Sequence, residues 1–169
     1  MKVWFTSDTH FGHTNIIRYC NRPFSTAEEM NHIIIKNFNS VVGSDDLVYH
    51  LGDFAFRNHE FYRKQLNGKH FLILGNHDDR KEVDKANFIW VRTTAGVKVN
   101  GQYIWLSHFS HRIWDRCHHG SFHLFGHSHN GVEDYGKSCD VGVDAWNFYP
   151  VSFEQLVERF KDRQNIGHH

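Results

Sequence analysis

Short apolar runs that stop at polar turns divide this chain, and they predict buried β-strands. The clearest run covers 70–74 and ends abruptly at the turn 75–78, Gly-Asn-His-Asp. Similar runs predict strands over 2–7, 47–51, 122–125 and 139–143. Two further runs, 97–99 and 102–106, flank Asn100-Gly101, and this arrangement predicts a β-hairpin with a type I′ turn.

Apolar residues at helical spacing predict amphipathic helices. Thr26 and Glu29 match a capping box that opens a helix continuing through Phe38. Ser152 opens the last helix in the same way. The predicted apolar face of that last helix consists of Phe153, Leu156, Val157 and Phe160.

The order of these elements predicts the fold class. Shorter helices are predicted over 15–20, 58–66 and 80–87, so strands alternate with helices before a strand-rich second half. This order is typical of an α/β fold with α+β character. We expect a single domain over residues 1–169, built as a two-sheet mixed β-sandwich with helices on its outer faces, in four layers.

Composition narrows the class of protein. A hydrophobic content of 40% with 15% aromatic residues indicates a folded globular domain. Nineteen basic and 19 acidic residues cancel, and this balance argues against binding to long nucleic acids. No apolar stretch approaches the length of a membrane span, and the apolar start is too short for a signal peptide.

Cysteine and histidine usage point in two further directions. The three cysteines are far apart, which is typical of a reducing compartment and predicts a cytoplasmic protein with no membrane partner. The 16 histidines hint at a metalloprotein. Several of them, including the terminal His168 and His169, can be exposed without a role.

Five predicted strands end in polar motifs of the same kind. The motifs are D-x-H at 8–10, G-D at 52–53, G-N-H-D at 75–78, S-H at 107–108 and G-H-x-H at 126–129. In α/β sheets, ligand sites lie beyond the carboxyl ends of strands. Residues i and i+2 of an extended chain point the same way, so the first and last motifs can each present a pair of groups.

This ordered series, over residues 8–129, resembles the calcineurin-like metallophosphoesterase family. The stretches 8–13 and 21–24 further resemble a small, cap-less bacterial and phage branch of that family. The resemblance implies a metallophosphoesterase fold and a dinuclear metal site. The implied ligands are Asp8, His10 and His129 for one metal, Asp53 as the bridge, and Asn76, His108 and His127 for the other. It also implies that His77 is the catalytic histidine and that Asp78 orients it.

The chemistry of these residue types agrees with that assignment. Two neighbouring cations need one short carboxylate that reaches both, and Asp53 is the candidate. Only two ligand carboxylates, those of Asp8 and Asp53, face two divalent cations, so the excess positive charge can attract a phosphate. Imidazole, carboxylate and amide ligands favour Mn, Fe, Zn or Ni over Mg or Ca, and we expect Mn. Metal-bound hydroxide would attack the phosphate while His77 protonates the leaving oxygen.

The predicted activity is hydrolysis of phosphodiester bonds in small or nucleotide-derived substrates. The chain leaves little room for a cap domain, so we expect an open site. The alternatives within the enzyme class are a phosphomonoesterase or nucleotidase, and a nuclease acting on short single strands. A non-catalytic scaffold of the same fold is the alternative from another class, and the presence of His77 argues against it. The sequence leaves the oligomeric state open.

Some residues beside the motifs are candidates for substrate contact. His13 and Arg57 follow ligand motifs and could bind the phosphate, and Arg22 is a similar candidate. Asp78 is also a candidate N-cap for the helix that follows it.

The remaining histidines and aromatic residues carry weaker expectations. His50 is a candidate core residue. We expect surface positions for His32, His59 and His70, and positions at the site mouth or on the surface for His111, His118, His119 and His123. Packing is favoured over nucleobase stacking for Trp114, Trp146 and Phe148.

Overall fold

The computed structural model describes residues 1–167, so His168 and His169 lie outside the described residues. Nine strands are found in this part of the chain. In chain order they are β1 Val3–Thr6, β2 Leu47–His50, β3 Lys69–Ile73, β4 Val91–Arg92, β5 Thr94–Val99, β6 Gln102–Ser107, β7 Phe122–Phe125, β8 Ser138–Asp140 and β9 Val151–Ser152.

The strands form the two mixed sheets that the sequence predicts. The first sheet has the order β4-β3-β2-β1-β9, in which β1 to β4 are parallel and β9 is antiparallel to β1. The second has the order β5-β6-β7-β8, with an antiparallel β5–β6 hairpin and parallel pairs beyond it. Asn100 and Gly101 have φ of 49° and 85°, as a type I′ turn requires, so the predicted hairpin is confirmed.

Helices flank the sheets, which confirms the predicted sandwich architecture. They are α1 Thr14–Tyr19, α2 Ala27–Val41, α3 His59–Arg63, α4 Arg80–Lys85 and α5 Phe153–Phe160, with 3-10 helices at Cys117–His119 and Val143–Ala145. Both predicted N-caps are present. Ser152 forms a complete capping box with Gln155, whereas Thr26 accepts from the Glu29 amide while the Glu29 carboxylate bonds the Ser25 amide instead.

The first sheet is buried on both faces, because alternate residues of a strand point to opposite sides. On β1, Phe5 belongs to the apolar cluster between the sheets, which also contains Leu106 of β6 and Leu156 of α5. The preceding residue, Trp4, belongs to a second cluster on the outer face, together with Met30 and other residues of α2.

The sequence does not predict β4 and β9, which have two residues each, too few for a recognisable pattern. Three predictions about other elements are wrong in part. The helix expected over 58–66 covers only His59–Arg63, and the strand expected to reach Val143 ends at Asp140. Val157, assigned to the apolar face of α5, is 43% exposed.

Three histidines expected outside the core are buried, and each has at least one polar partner there. His59 bonds the Asp78 carboxylate, His70 bonds the Asn67 carbonyl, and His123 lies between two serine hydroxyls. His50 is buried, as expected.

The aromatic residues pack, as favoured. Trp114 is buried, while Trp146 and Phe148 are half-buried against the two apolar clusters. Over residues 1–167, no helix has the length and apolar character needed to cross a membrane.

Candidate metal centre

The polar motifs at the ends of β1, β2, β3, β6 and β7 meet at one edge of the two sheets. The Asp8 amide donates to the Gly52 carbonyl, and the Gly126 amide donates to the His108 carbonyl, within the respective sheets. The His127 amide donates to Oδ2 of Asp8 at 2.9 Å, which joins the second sheet to the first. The convergence predicted from the sequence is therefore present.

Most of the candidate ligand residues have backbone conformations that side chains seldom adopt. Positive φ angles are found at Asp8 (55°), His10 (49°), Asp53 (54°), His127 (65°) and His129 (46°). For residues other than glycine, such conformations persist only where the surrounding structure imposes them, and they concentrate at functional sites.

Asp8, His10 and His129 form one group of candidate ligands. One ligand atom from each lies within 4.8 Å of the others. Oδ1 of Asp8 and Nε2 of His10 are 4.0 Å apart, and both are buried without a hydrogen-bond partner among the described residues. Burial raises the pKa of Asp8 to about 7. A cation between these atoms would satisfy both and compensate the buried carboxylate.

Asp53, His108 and His127 form the second group, with the same limit of 4.8 Å between their ligand atoms. Oδ1 of Asn76 lies 3.0 Å from Nε2 of His108, which places it beside this group. Oδ2 of Asp53 is 3.5 Å from Nε2 of His10 in the first group and 3.5 Å from Nε2 of His108 in the second. One oxygen atom of Asp53 is therefore equally close to a histidine of the first group and to a histidine of its own group, which is the position that a bridging ligand needs.

The charge of Asp53 is maintained despite its burial. Desolvation raises the pKa of this carboxyl. The hydrogen bond and charge of His108, the charge of His10 and a hydrogen bond from the His77 amide lower the pKa, and together they outweigh the desolvation. The net effect holds the pKa of Asp53 below its usual value. An ionised bridging carboxylate fits two divalent cations.

Two of the ligand histidines are oriented by a partner on Nδ1. Nδ1 of His108 donates to the Leu51 carbonyl at 2.7 Å, and Nδ1 of His129 donates to Asp144 at 2.7 Å. Each bond fixes the ring and leaves Nε2 as the nitrogen that would bind a metal. At His108 a cation would replace the proton that Nε2 shares with Oδ1 of Asn76. The residue set thus fits two divalent transition-metal ions.

Arg22 supports the site from below, so its candidate role in phosphate binding is wrong. Its buried guanidinium forms a bidentate pair with Asp144 and donates to the carbonyls of Asp8 and Thr9. No sequence pattern indicates this role for Arg22, or any role for Asp144. The two residues are 122 positions apart and belong to no motif.

Asp78 supports the turn that carries Asp53, the candidate bridging residue. Its two oxygens accept from the amides of Asp53, Phe54 and Gly75 at 2.8–2.9 Å and from Nε2 of His59 at 3.2 Å. These bonds fix the turn that carries Asp53, in place of the expected bond to the His77 ring. The prediction that Asp78 caps the next helix is wrong, because Asp79 is the N-cap of α4.

The candidate catalytic and substrate-binding residues lie at the outer side of the site. His77 is exposed, and its ring centroid is 5.6 Å from that of His10 and 6.1 Å from that of His13. His13 stacks on Phe56 at 4.8 Å. Arg57 is exposed, with its guanidinium 5.5 Å from the Phe56 ring centroid.

Glycine is required where two of the strand ends approach each other. A Cβ at Gly126 would lie 2.0 Å from Oγ of Ser7 and 2.5 Å from Oδ2 of Asp8. A Cβ at Gly75 would lie 2.1 Å from Oδ1 of Asp53. The glycines that precede the ligand motifs therefore give the carboxylates room to reach the site.

Comparisons with known proteins agree with this architecture, although no family model matches the chain. The uncharacterized protein MJ1445 of Methanocaldococcus jannaschii is 36% identical to it, over 93% of this chain and 90% of that protein. Among solved structures, a protein of unknown function from Aquifex aeolicus, AQ665, is similar with a TM-score of 0.76 and 24% identity, over 94% of this chain and 98% of that one. Vps29 from Entamoeba histolytica is similar with a TM-score of 0.51 and 17% identity, over 84% of this chain and 73% of that one.

Proposed function

We propose that the chain, which belongs to one family with MJ1445 and has the metallophosphoesterase fold, is a calcineurin-like metallophosphoesterase and acts as a metal-dependent phosphodiesterase. The proposed substrates are small or nucleotide-derived phosphodiesters, and the proposed metal is manganese. His77 and His127 are exposed at the site, which supports an accessible centre.

One observation carries this proposal. Oδ2 of Asp53 lies 3.5 Å from a nitrogen of each candidate ligand group, while the facing atoms of Asp8 and His10 are buried without partners among the described residues. A structural role for these polar atoms would leave their desolvation uncompensated. Two bound cations would compensate it.

The protein's own residues then have distinct tasks. Asp53 holds the two groups at a common oxygen, and His108 and His129 present Nε2 because Nδ1 of each is already bonded. When bound, two divalent cations supply the charge that neutralises phosphate oxygens and activates an attacking water molecule.

His77 is the proposed proton donor. Its amide donates to Oδ1 of Asp53 at 2.9 Å, so the backbone of the proton donor is tied to the bridging carboxylate. Its ring is exposed beside His10 and His13, where a leaving oxygen that gains negative charge could receive a proton.

The test compares metal-free protein with protein reconstituted with Mn²⁺, using bis(p-nitrophenyl) phosphate and p-nitrophenyl phosphate. We expect Mn²⁺-dependent hydrolysis, with the diester preferred in kcat/KM. Asp53→Asn should lose at least about 100-fold in kcat/KM, because it removes the charged bridge. Asp45→Asn, a change at an exposed carboxylate that pairs with Lys69, is the matched control. Activity that survives complete metal removal would refute the mechanism, and a preference for the monoester would reassign the substrate.

A further inference from the structure

Two exposed phenylalanines flank the candidate centre. Phe56 is 47% exposed and Phe109 is 51% exposed. A single exposed apolar side chain is ordinary in a folded protein. These two are unusual in position, because each packs against a histidine of the site while about half of its side chain is exposed.

The two rings contact histidines from different parts of the site. The Phe109 ring centroid is 4.6 Å from that of His127 and 5.0 Å from that of His108, both in the second ligand group. Phe56 stacks on His13 with an interplanar angle of 14°, and the His13 ring is 5.3 Å from that of His10 in the first group. Each phenylalanine therefore borders one of the two ligand groups.

Backbone hydrogen bonds hold both positions. The Phe56 amide donates to the Phe11 carbonyl at 2.9 Å, and the Phe109 carbonyl accepts from the Ser107 hydroxyl at 2.7 Å. The Arg57 guanidinium lies over the Phe56 ring. Cation–π contacts at exposed sites are weaker than stacking of a nucleobase on an aromatic ring, so a bound base can displace Arg57.

The geometry of a phosphodiester matches this arrangement. Its two ester groups leave the phosphorus atom in different directions, so each can extend over one side of the centre. His77 lies on the side of His10 and His13, which is the side of Phe56, and the leaving group should depart there.

Resting on the function proposed above, we infer that Phe56 and Phe109 determine specificity by stacking on the two aromatic groups of a short nucleotide-derived diester. Phe56 receives the leaving group, and Phe109 receives the base of the nucleotide that remains. Diesters with alkyl groups in both positions lack this stacking and should be poor substrates.

Two substrates with the same leaving group isolate the contribution of Phe109. Thymidine 5′-p-nitrophenyl phosphate carries a base on the retained side, and methyl p-nitrophenyl phosphate carries only a methyl group. We expect the Mn²⁺-loaded protein to prefer the nucleotide ester in kcat/KM. Phe109→Leu should reduce that preference roughly 5- to 100-fold, the range typical of one base stacked on an aromatic side chain. Phe61→Leu, at a 61% exposed ring on α3, is the matched control.

Equilibrium binding gives a readout that does not depend on turnover. Calorimetry should show that thymidine 5′-monophosphate binds the Mn²⁺-loaded protein more tightly than methyl phosphate, and that Phe109→Leu removes most of the difference. Equal binding of the two ligands to the unmodified protein, or a preference unchanged in Phe109→Leu, would overturn the stacking inference. Failure to hydrolyse either ester would instead contradict the phosphodiesterase function, and the binding comparison would still test the stacking.

Discussion

A methyl group at position 75 would show whether the centre depends on the close approach of two strand ends. In Gly75→Ala the new Cβ would start 2.1 Å from Oδ1 of Asp53 and 2.3 Å from its amide nitrogen, whereas real Cβ contacts do not fall below 3.0 Å. Because protein interiors are closely packed and have little free space, the turn or Asp53 must move by about 1 Å. A displacement of that size at a catalytic centre can cost ~100-fold in rate.

We therefore expect Gly75→Ala to lose about 100-fold in kcat/KM and to bind Mn²⁺ more weakly in calorimetry. The matched control is Gly43→Ala, whose Cβ would meet its nearest atom, Oδ2 of Asp46, at an ordinary 3.5 Å. Circular dichroism should show both variants folded. If folded Gly75→Ala binds Mn²⁺ and hydrolyses diesters as well as Gly43→Ala, the centre does not depend on the close approach of these strand ends.

Two further predictions concern groups outside the ligand set. Asp144→Asn weakens the bond that orients His129, and we expect a 10- to 100-fold loss of Mn²⁺ affinity by calorimetry, of the order known for such partners; unchanged affinity would contradict the orienting role. Burial lowers the pKa of His70 to about 3. Between pH 7 and pH 5 the His70 side chain therefore takes up a proton in the unfolded chain but not in the folded protein, and this difference lowers the free energy of unfolding by ~2 kcal/mol. His70→Gln keeps an N–H donor for the Asn67 carbonyl but cannot titrate, so its stability relative to the unmodified protein, measured by urea unfolding, should improve by ~2 kcal/mol from pH 7 to pH 5; a difference that does not change with pH would refute the assignment.

The convergence of the strand ends could be predicted because it follows from local patterns. An apolar run, a glycine and a polar cluster recur in one order, and the carboxyl ends of parallel strands share an edge. Asp8, Asp53 and the histidines of the last motif thus come together without any knowledge of packing.

The supports of the site could not be predicted, because they depend on contacts without a local signal. Asp144 and Arg22 are 122 residues apart and meet only when the 3-10 helix after β8 lies beside the segment that follows α1. The sequence predicts a surface position for His59, because nothing near it in the sequence indicates its hydrogen bond to Asp78. The adjacent pair His77-Asp78 suggests that Asp78 orients the His77 ring, but the Asp78 carboxylate accepts hydrogen bonds from the backbone of Asp53 and Gly75 instead.

The backbone conformation of the candidate ligand residues supports a functional site independently of the motif pattern. Five non-glycine residues of the centre have positive φ, and each such residue costs of order 1–3 kcal/mol. Together they cost about as much as the entire net stability of a typical domain, ~5–15 kcal/mol. Three buried carboxylates offset this cost by accepting hydrogen bonds around the ligands: Asp78 around Asp53, Asp140 from the amides of Asn130 and Gly142, and Asp144 from His129. A sequence shaped by stability alone would place glycine or asparagine at the five positions and leave the carboxylates out. The candidate ligand residues are strained, and buried carboxylates support them. This arrangement is expected when the direction of the side chains matters more for function than the stability that the strained backbone costs.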